Sequence, residues 1–214
     1  MKIIISGTTG VGKSTTVNEV KRLFEEQGKK VRIVGEMVVD NPYFDLYFDN
    51  LSEWGFLAQI DFLFERFDQF VKIQRENIED SEVIIFDRHY LEDIIFAELK
   101  QVREATSAAL TNTYRQIFKQ LLNKLEKQFE KPDYMFMLKA SFDTVKERMN
   151  KRGREQEALF SDNYWQDLYY RYYGKSTYRQ IFVEYTKDYI EIDTDFISAD
   201  KAAETIITYI KNRE

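Results

Sequence analysis

The sequence contains no cysteine. That absence excludes a disulfide framework, a thiol nucleophile and any cysteine-ligated metal. Proline and glycine are scarce, with two and eight among 214 residues, which leaves little room for long flexible linkers. A surplus of positive charge is also missing, since the formal net charge is -6. Binding of DNA or RNA rests on many Lys and Arg contacts to phosphates, so a polymeric nucleic-acid partner is not expected. A local basic site for a small phosphate ligand stays open. The apolar run Ile3-Ile4-Ile5 near the N-terminus is far too short for a membrane span or a signal peptide. No membrane partner is expected, and a cytoplasmic setting is the default. Histidine is limited to His89, and a lone histidine is more readily a structural or supporting residue than a metal site.

What is present is a globular composition, 43% hydrophobic and 32% charged, with enough large rings (17 Phe and 14 Tyr) to fill a core. The length suits one domain, 1–214. Short β-branched or apolar runs predict strands at Ile3–Ser6, Val31–Val34, Val83–Phe86, Tyr134–Leu138 and Tyr189–Ile192. Helical spacing of apolar residues predicts helices over Ser14–Gln27, Leu51–Ile78, Leu110–Phe129, from Phe142 past Met149, and over Ala202–Ile210. Asn41-Pro42 marks a break before new helical structure. Leu51–Ile78 is apolar on most sides and is expected to be buried by its neighbours. The aromatic run Tyr164-Trp165…Tyr169-Tyr170…Tyr172-Tyr173 reads as packing of an amphipathic helix rather than a base-stacking platform. Alternation of strands and helices predicts an α/β fold: a five-stranded parallel sheet covered by helices on both faces, a three-layer sandwich.

Gly7-Thr8-Thr9-Gly10-Val11-Gly12-Lys13-Ser14 fits G-x-x-x-x-G-K-[ST] at every fixed position. The context fits as well, with a strand before it and a helix after. Glycines let the backbone turn so that its N–H groups point at phosphate oxygens, and the helix N-terminus adds a favourable field for anions. Lys13 would reach the β- and γ-phosphates, the Ser14 hydroxyl would ligate Mg²⁺, and the loop with the adjoining Thr15 would hold a nucleoside triphosphate such as ATP. The loop does not name the acceptor.

In open parallel sheets ligands sit outside the carboxyl ends of the strands, and two acids fall there. Asp87, after the third strand, resembles the acid that completes the magnesium site of phosphate-loop enzymes. Glu36, after the second, suits a base for an alcohol proton; transfer to a phosphate oxygen, already anionic, would need none.

These pieces, in their order along the chain, resemble the deoxynucleoside kinases, and especially the bacterial deoxyadenosine/deoxyguanosine type. The resemblance rests on the phosphate loop, Glu36, Asn41-Pro42-Tyr43-Phe44, Trp54…Gln59…Arg66, Asp87-Arg88 with Asp93, and Arg148…Arg152-Gly153-Arg154. It covers nearly the whole chain and implies a P-loop NTPase-like fold with an Arg-rich lid at about 148–160. It implies that Glu36 is the general base at the nucleoside 5′-hydroxyl, and that Arg88 lies at the 5′-oxygen and the transferring phosphoryl group. Arg148, Arg152 and Arg154 match the lid arginines that close over phosphates. Gln59, Arg66 and Asp93 match the residues that read the base. Glu157 falls where the family holds the sugar 3′-hydroxyl, and the donor adenine is usually held at Asp193-Thr194-Asp195-Phe196. A homodimer is the common assembly, and the helices Leu51–Ile78 and Leu110–Phe129 could share its interface.

Two departures stand out. Glu36 is followed by Met37 where the family has proline. Phe48 stands where the family offers a tyrosine hydroxyl to the sugar, with Tyr47 beside it. Either Tyr47 substitutes, or the 3′-hydroxyl rests on Glu157 alone.

The residues support several of these roles independently. Gln59 and Arg66, seven apart on a predicted helix, differ by only about 20° around its axis, so both polar groups leave one face. Buried polar groups need partners, and a heterocyclic base would supply them. Three arginines spaced four and two apart would repel one another without an anion such as a closing phosphate. Asp93 accepts hydrogen bonds and Arg66 donates them, which favours a base with an exocyclic amine over thymine. Deoxyadenosine is the first expectation, with deoxyguanosine and deoxycytidine open. The rival readings are a nucleoside monophosphate kinase of the thymidylate kinase kind and a non-enzymatic nucleotide-binding regulatory module. The first would be indifferent to Glu36. The second would leave Gln59, Arg66 and Asp93 without a common role.

Overall fold

A computed structural model describes residues 1–35, 42–76, 79, 82–99, 104, 106–174 and 176–213; at 44, 48, 125, 126, 156 and 176 it describes the backbone alone. Glu36 and the side chain of Phe48 therefore lie outside the described residues. Five strands form one sheet: β1 (Lys2–Ser6), β2 (Lys30–Val34), β3 (Glu82–Asp87), β4 (Tyr134–Lys139) and β5 (Asp188–Asp193). Their order is β2-β3-β1-β4-β5 and every pair is parallel. Parallel neighbours need crossovers, which put helices on both faces and bury the strands from both sides. Ile3, Ile4 and Ile5 are fully buried, as are Ile84 and Ile85 on β3 and Met135 to Leu138 on β4.

The helices are α1 (Lys13–Glu26), α2 (Phe44–Asp49), α3 (Leu51–Arg75), α4 (Asp93–Ala97), α5 (Ala108–Gln128), α6 (Phe142–Arg152), α7 (Glu155–Ala158), α8 (Asp162–Tyr173), α9 (Ser176–Tyr185) and α10 (Ala199–Lys211). Side-chain caps fix several starts. Ser141, Ser161 and Ser198 accept from the backbone N–H three residues on, at the heads of α6, α8 and α10. Asn50 does the same for α3. Gly153, with φ 64°, closes α6 in the left-handed conformation that a β-carbon disfavours.

The five expected strands are present, each extended by one or two residues. The expected helices are also present, with the long one ending at Arg75. Besides the single turn α7, two helical pieces among the described residues lie outside those expectations. One is α9. The other is the short 3₁₀ turn Tyr90–Glu92 running into α4, where His89 caps the turn and Glu92 answers to the His89 backbone N–H at 3.2 Å. The helix start has the reciprocal geometry of a capping box with histidine in the place of serine or threonine, which composition does not flag.

One face of α3 also differs from expectation. Ala58, Leu63 and Phe70 are buried, yet Leu57 and Phe64 are 39% and 47% exposed. They lie seven residues apart, on one stripe that the described chain does not cover.

β1 is central, and the chain leaves it toward β2 and β3 on one side and returns through β4 and β5 on the other. Such a switch in direction opens a crevice beyond the carboxyl ends of the strands, and the phosphate loop begins there, straight after β1.

Candidate active site

The loop from Gly7 to Gly12 turns only because its glycines take left-handed angles: φ is 141° at Gly7, 85° at Gly10 and 106° at Gly12. At Gly7 a β-carbon would stand 2.5 Å from the Leu138 carbonyl oxygen, and at Gly10 2.5 Å from Met149 Cγ and 2.9 Å from the Val145 carbonyl oxygen. The loop thus packs against β4 and α6 more closely than any side chain would permit. Lys13 opens α1 and turns back across the loop, its ammonium donating to the Gly7 and Thr8 carbonyls at 2.8 and 2.9 Å. Arg148 on α6 ties the far side of the loop to the end of β5. It donates to the Val11 carbonyl at 2.9 Å and to the Thr194 carbonyl at 2.6 Å. The backbone N–H of Thr8 donates to the Tyr173 hydroxyl at 3.1 Å, which in turn donates to the Leu138 carbonyl at 2.7 Å.

Beside the loop, Ser14 Oγ donates to Asp87 Oδ2 at 2.7 Å. Asp87 is buried at the end of β3, and its Oδ1 has no hydrogen-bond partner among the described residues. A hydroxyl and a carboxylate with an unused buried oxygen suit a magnesium ion, which binds through one or two protein oxygens together with phosphates and water. Among the described residues there is no cluster of three or more His, Cys, Asp or Glu that could hold a metal unaided.

Arg88 is the one non-glycine residue with positive φ (72°) among the described residues. That conformation costs a non-glycine residue roughly 1–2 kcal/mol. Its guanidinium is held by its contacts: it donates to the Tyr172 hydroxyl at 2.8 Å and to Thr9 Oγ1 at 3.2 Å, pairs with Glu92 at 3.5 Å, and stands 5.0 Å over the Phe96 ring.

A cavity of about 1160 Å³ joins these groups to a second set. Thr9 to Thr16, Asp87, Arg88, Arg148, Arg152, Arg154 and Glu157 line it together with Gln59, Phe62 and Arg66 on α3, and Tyr47. The seven-residue spacing does place Gln59 and Arg66 on one face of α3. The Gln59 amide makes no hydrogen bond to any described residue, although the residue is buried. Arg66 pairs with Asp93 and stands 4.9 Å over the Phe62 ring. Asp93 does not line the cavity; it lies behind Arg66, 1% exposed. Burial pushes its carboxyl up to about 7, against the pull of the Arg66 guanidinium.

Tyr47 is buried against Tyr164, with which it shares a hydrogen bond, and burial pushes its phenol up to about 12. Its hydroxyl therefore stays protonated at neutral pH. Glu157 pairs with Arg152 and lies 3.9 Å from Arg154, so one carboxylate already offsets part of the repulsion between these arginines. Its other oxygen is buried without a partner among the described residues. His89 is enclosed by Phe70, Phe86 and Tyr90, and burial lowers its imidazole to about 3. It stays neutral and packs; it is not placed to exchange protons with the cavity.

At the far end the structure separates the residues expected around a donor base. Thr194, Ile197, Ser198, Ala199 and Ala202 line the cavity; Asp193, Asp195 and Phe196 do not. The Asp195 carboxylate accepts from Ser141 N and Oγ at 2.8–2.9 Å and so braces the start of α6. Asp193 accepts from the Asp195 N–H at 2.9 Å, and Phe196 is 98% exposed. Sequence reasoning left out Phe62 and Phe96. Phe62 could have been found, because it lies three residues from Gln59 and four from Arg66, on their face of the helix.

A strand–glycine loop–helix with a lysine over its carbonyls, an adjacent Ser–Asp pair and arginines around one cavity defines a phosphate-loop nucleotide-binding protein. Comparison with known proteins places it further. The family model for deoxynucleoside kinase matches residues 3–213, and the chain belongs to that family of phosphotransferases. It is 33% identical to a deoxyadenosine/deoxycytidine kinase of Bacillus subtilis over 171 residues, 79% of this chain and 74% of that protein. It is 30% identical to a deoxyguanosine kinase of Lactobacillus acidophilus over 217 residues, 99% of this chain and 90% of that one. The fold matches a deoxyadenosine kinase from M. mycoides, solved with bound dATP, with a TM-score of 0.76 and 29% identity over 99% of this chain and 100% of that one.

Proposed function

We propose that this deoxynucleoside kinase transfers the γ-phosphoryl group of ATP to the 5′-hydroxyl of a purine deoxynucleoside, deoxyadenosine first, in nucleotide salvage. The observation that carries the reading is the continuity of one cavity from the phosphate loop to Gln59 and Arg66. It gives a triphosphate and a hydrogen-bonding heterocycle one shared space.

In this reading Lys13, the loop amides and Thr15 hold the donor phosphates, with Arg148 bracing the loop. Ser14 and Asp87 would hold Mg²⁺, which supplies charge neutralisation at the β- and γ-phosphates. Glu36 takes the 5′-hydroxyl proton. Arg88 stabilises charge on the group in flight, and Arg152 and Arg154 join it from a lid over 148–160 within one domain, 1–214. Gln59 and Arg66 face the base, with Asp93 holding Arg66. Tyr47 and Glu157 serve the sugar, at the cavity wall beside Phe48. The donor base lies by Thr194 and Ile197, near Asp193, Asp195 and Phe196. The setting is the cytoplasm, where ATP and deoxynucleosides meet; among the described residues no helix is long and apolar enough to cross a membrane.

The relatives divide between adenine, guanine and cytosine substrates, so the base is the point to test. Purified enzyme is given Mg²⁺-ATP and each deoxynucleoside in turn, and 5′-monophosphate is measured. The highest kcat/KM is expected with deoxyadenosine and the lowest with thymidine. Turnover of a nucleoside monophosphate with none of any nucleoside would reject the assignment of the acceptor.

The exposed stripe Leu57–Phe64 on α3, with Leu110 of α5 also 41% exposed, supports a homodimer built on these helices. Sedimentation velocity is expected to give a particle of twice the 25.7 kDa chain, and Phe64→Glu to shift it to the monomer. A wild-type monomer at micromolar concentration would remove the proposal.

A further inference from the structure

We infer that Tyr172, with Glu92, is a positioning residue for phosphoryl transfer, fixing the Arg88 guanidinium at the phosphate loop. The inference rests on the reading that Arg88 meets the transferring group. The aromatic run of α8 packs as an amphipathic helix, but packing does not account for its polar tips. Tyr172 is 3% exposed and Tyr173 is half-buried beside it, and each brings its hydroxyl to a different part of the phosphate machinery. Tyr173 takes the Thr8 N–H of the loop. Tyr172 takes Arg88.

The hydrogen bonds run in one direction. Arg88 donates to the Tyr172 hydroxyl at 2.8 Å, and that hydroxyl donates to Glu92 Oε2 at 2.6 Å. Glu92, 1% exposed, also accepts from the backbone N–H of His89. Burial and the neighbouring Glu92 raise the Tyr172 phenol, which keeps its proton available for the carboxylate. A tyrosine hydroxyl offers one donor and two acceptor sites, and here it uses one of each to pass the negative charge of Glu92 toward the guanidinium. Arg88 carries a left-handed backbone on a β3 end, a conformation that persists only where surroundings over-determine it. The Tyr172–Glu92 pair, 80 residues apart in sequence, supplies that determination. It leaves Arg88 directed at Thr9 in the loop, at 3.2 Å.

A positioned charge acts on a transition state without reorganising, so loosening it lowers turnover more than binding. Tyr172→Phe keeps the ring and removes only the hydroxyl. Its kcat is expected to fall about 10–100-fold, the loss attached to a hydrogen bond with a charged group, while KM for nucleoside and for ATP changes less than about threefold. The decisive comparison uses Arg88→Gly, which removes the guanidinium and suits the left-handed backbone. In that background Tyr172→Phe is expected to cost less than about threefold more, because no guanidinium is left to hold. Equal penalties in both backgrounds, or wild-type kcat in Tyr172→Phe alone, would overturn the inference. Should Tyr172→Phe fold poorly, Glu92→Gln carries the same pair of measurements. If Arg88→Gly alone retains full activity, the underlying role of Arg88 fails, a result distinct from failure of the positioning pair.

Discussion

Above pH 7, where the Asp93 carboxyl is ionised, Asp93→Asn is expected to destabilise the enzyme by about 3–5 kcal/mol, a large share of the margin of about 5–15 kcal/mol typical of a folded domain. The Arg66 side chain is 9% exposed and that of Asp93 1%. Asparagine has nearly the shape of aspartate but no charge, so the change removes the carboxylate that pairs with a guanidinium held out of water. Burial already penalises the charge on Asp93, and Arg66, with a smaller pull from Arg88, opposes this penalty. The ion pair is therefore a conditional arrangement: costly to assemble, and costlier to half-remove.

The paired change separates stability from function. Arg66→Met with Asp93→Leu removes both charges and leaves apolar groups beside Phe62, so most of the stability lost in Asp93→Asn should return. Activity should not return, because Arg66 lines the cavity and a base would lose its donor. Urea midpoints and slopes report the first effect, and kcat/KM with deoxyadenosine the second. A double variant that is both stable and active would show that the pair serves packing alone. A single variant within 1 kcal/mol of wild type would show that the charges are not energetically coupled.

The two ends of this cavity were not equally legible in the sequence. The phosphate loop is a contiguous run whose chemistry fixes residue type at each position, so strand, turn and helix could be read together. Gln59 and Arg66 were legible because a helix converts a spacing of seven into a shared face. Arg88 was expected near the phosphates only through the family resemblance, and its partners could not be read at all. Tyr172 lies 84 residues away and Glu92 sits behind a histidine-capped turn, and no local pattern joins groups that meet only through sheet order. The end of β5 shows a different limit. Thr194 and Phe196 are two apart, yet Thr194 lines the cavity and Phe196 projects into solvent. Side-chain direction in a loop depends on which carboxylate caps the neighbouring helix, here Asp195 on Ser141. Leu57 and Phe64 show the same limit on an apolar helix, whose pattern records that a face wants cover but not what supplies it.

Glu36→Gln is expected to lower kcat by roughly 10²–10⁴-fold, with KM for the nucleoside changed less than about threefold. Glu36 stands two residues beyond β2, whose last residue pairs with Phe86, the neighbour of Asp87. An alcohol cannot leave its proton on the new ester oxygen of the product, so the proton must pass to an acceptor as the P–O bond forms. A carboxylate takes it; a carboxamide of the same shape can still hydrogen-bond to the hydroxyl but has no basicity to receive a proton. Binding is thus preserved while the chemical step slows, the signature of an interaction made in the transition state rather than the ground state. The size of the effect also decides between acceptors. A phosphate acceptor arrives already anionic, so the same substitution would leave its phosphorylation within a few-fold of wild type. Single-turnover rates with deoxyadenosine, measured across a range of pH, make the comparison directly. A rate within tenfold of wild type throughout would remove Glu36 as the base and, with it, the main argument that the acceptor is an alcohol.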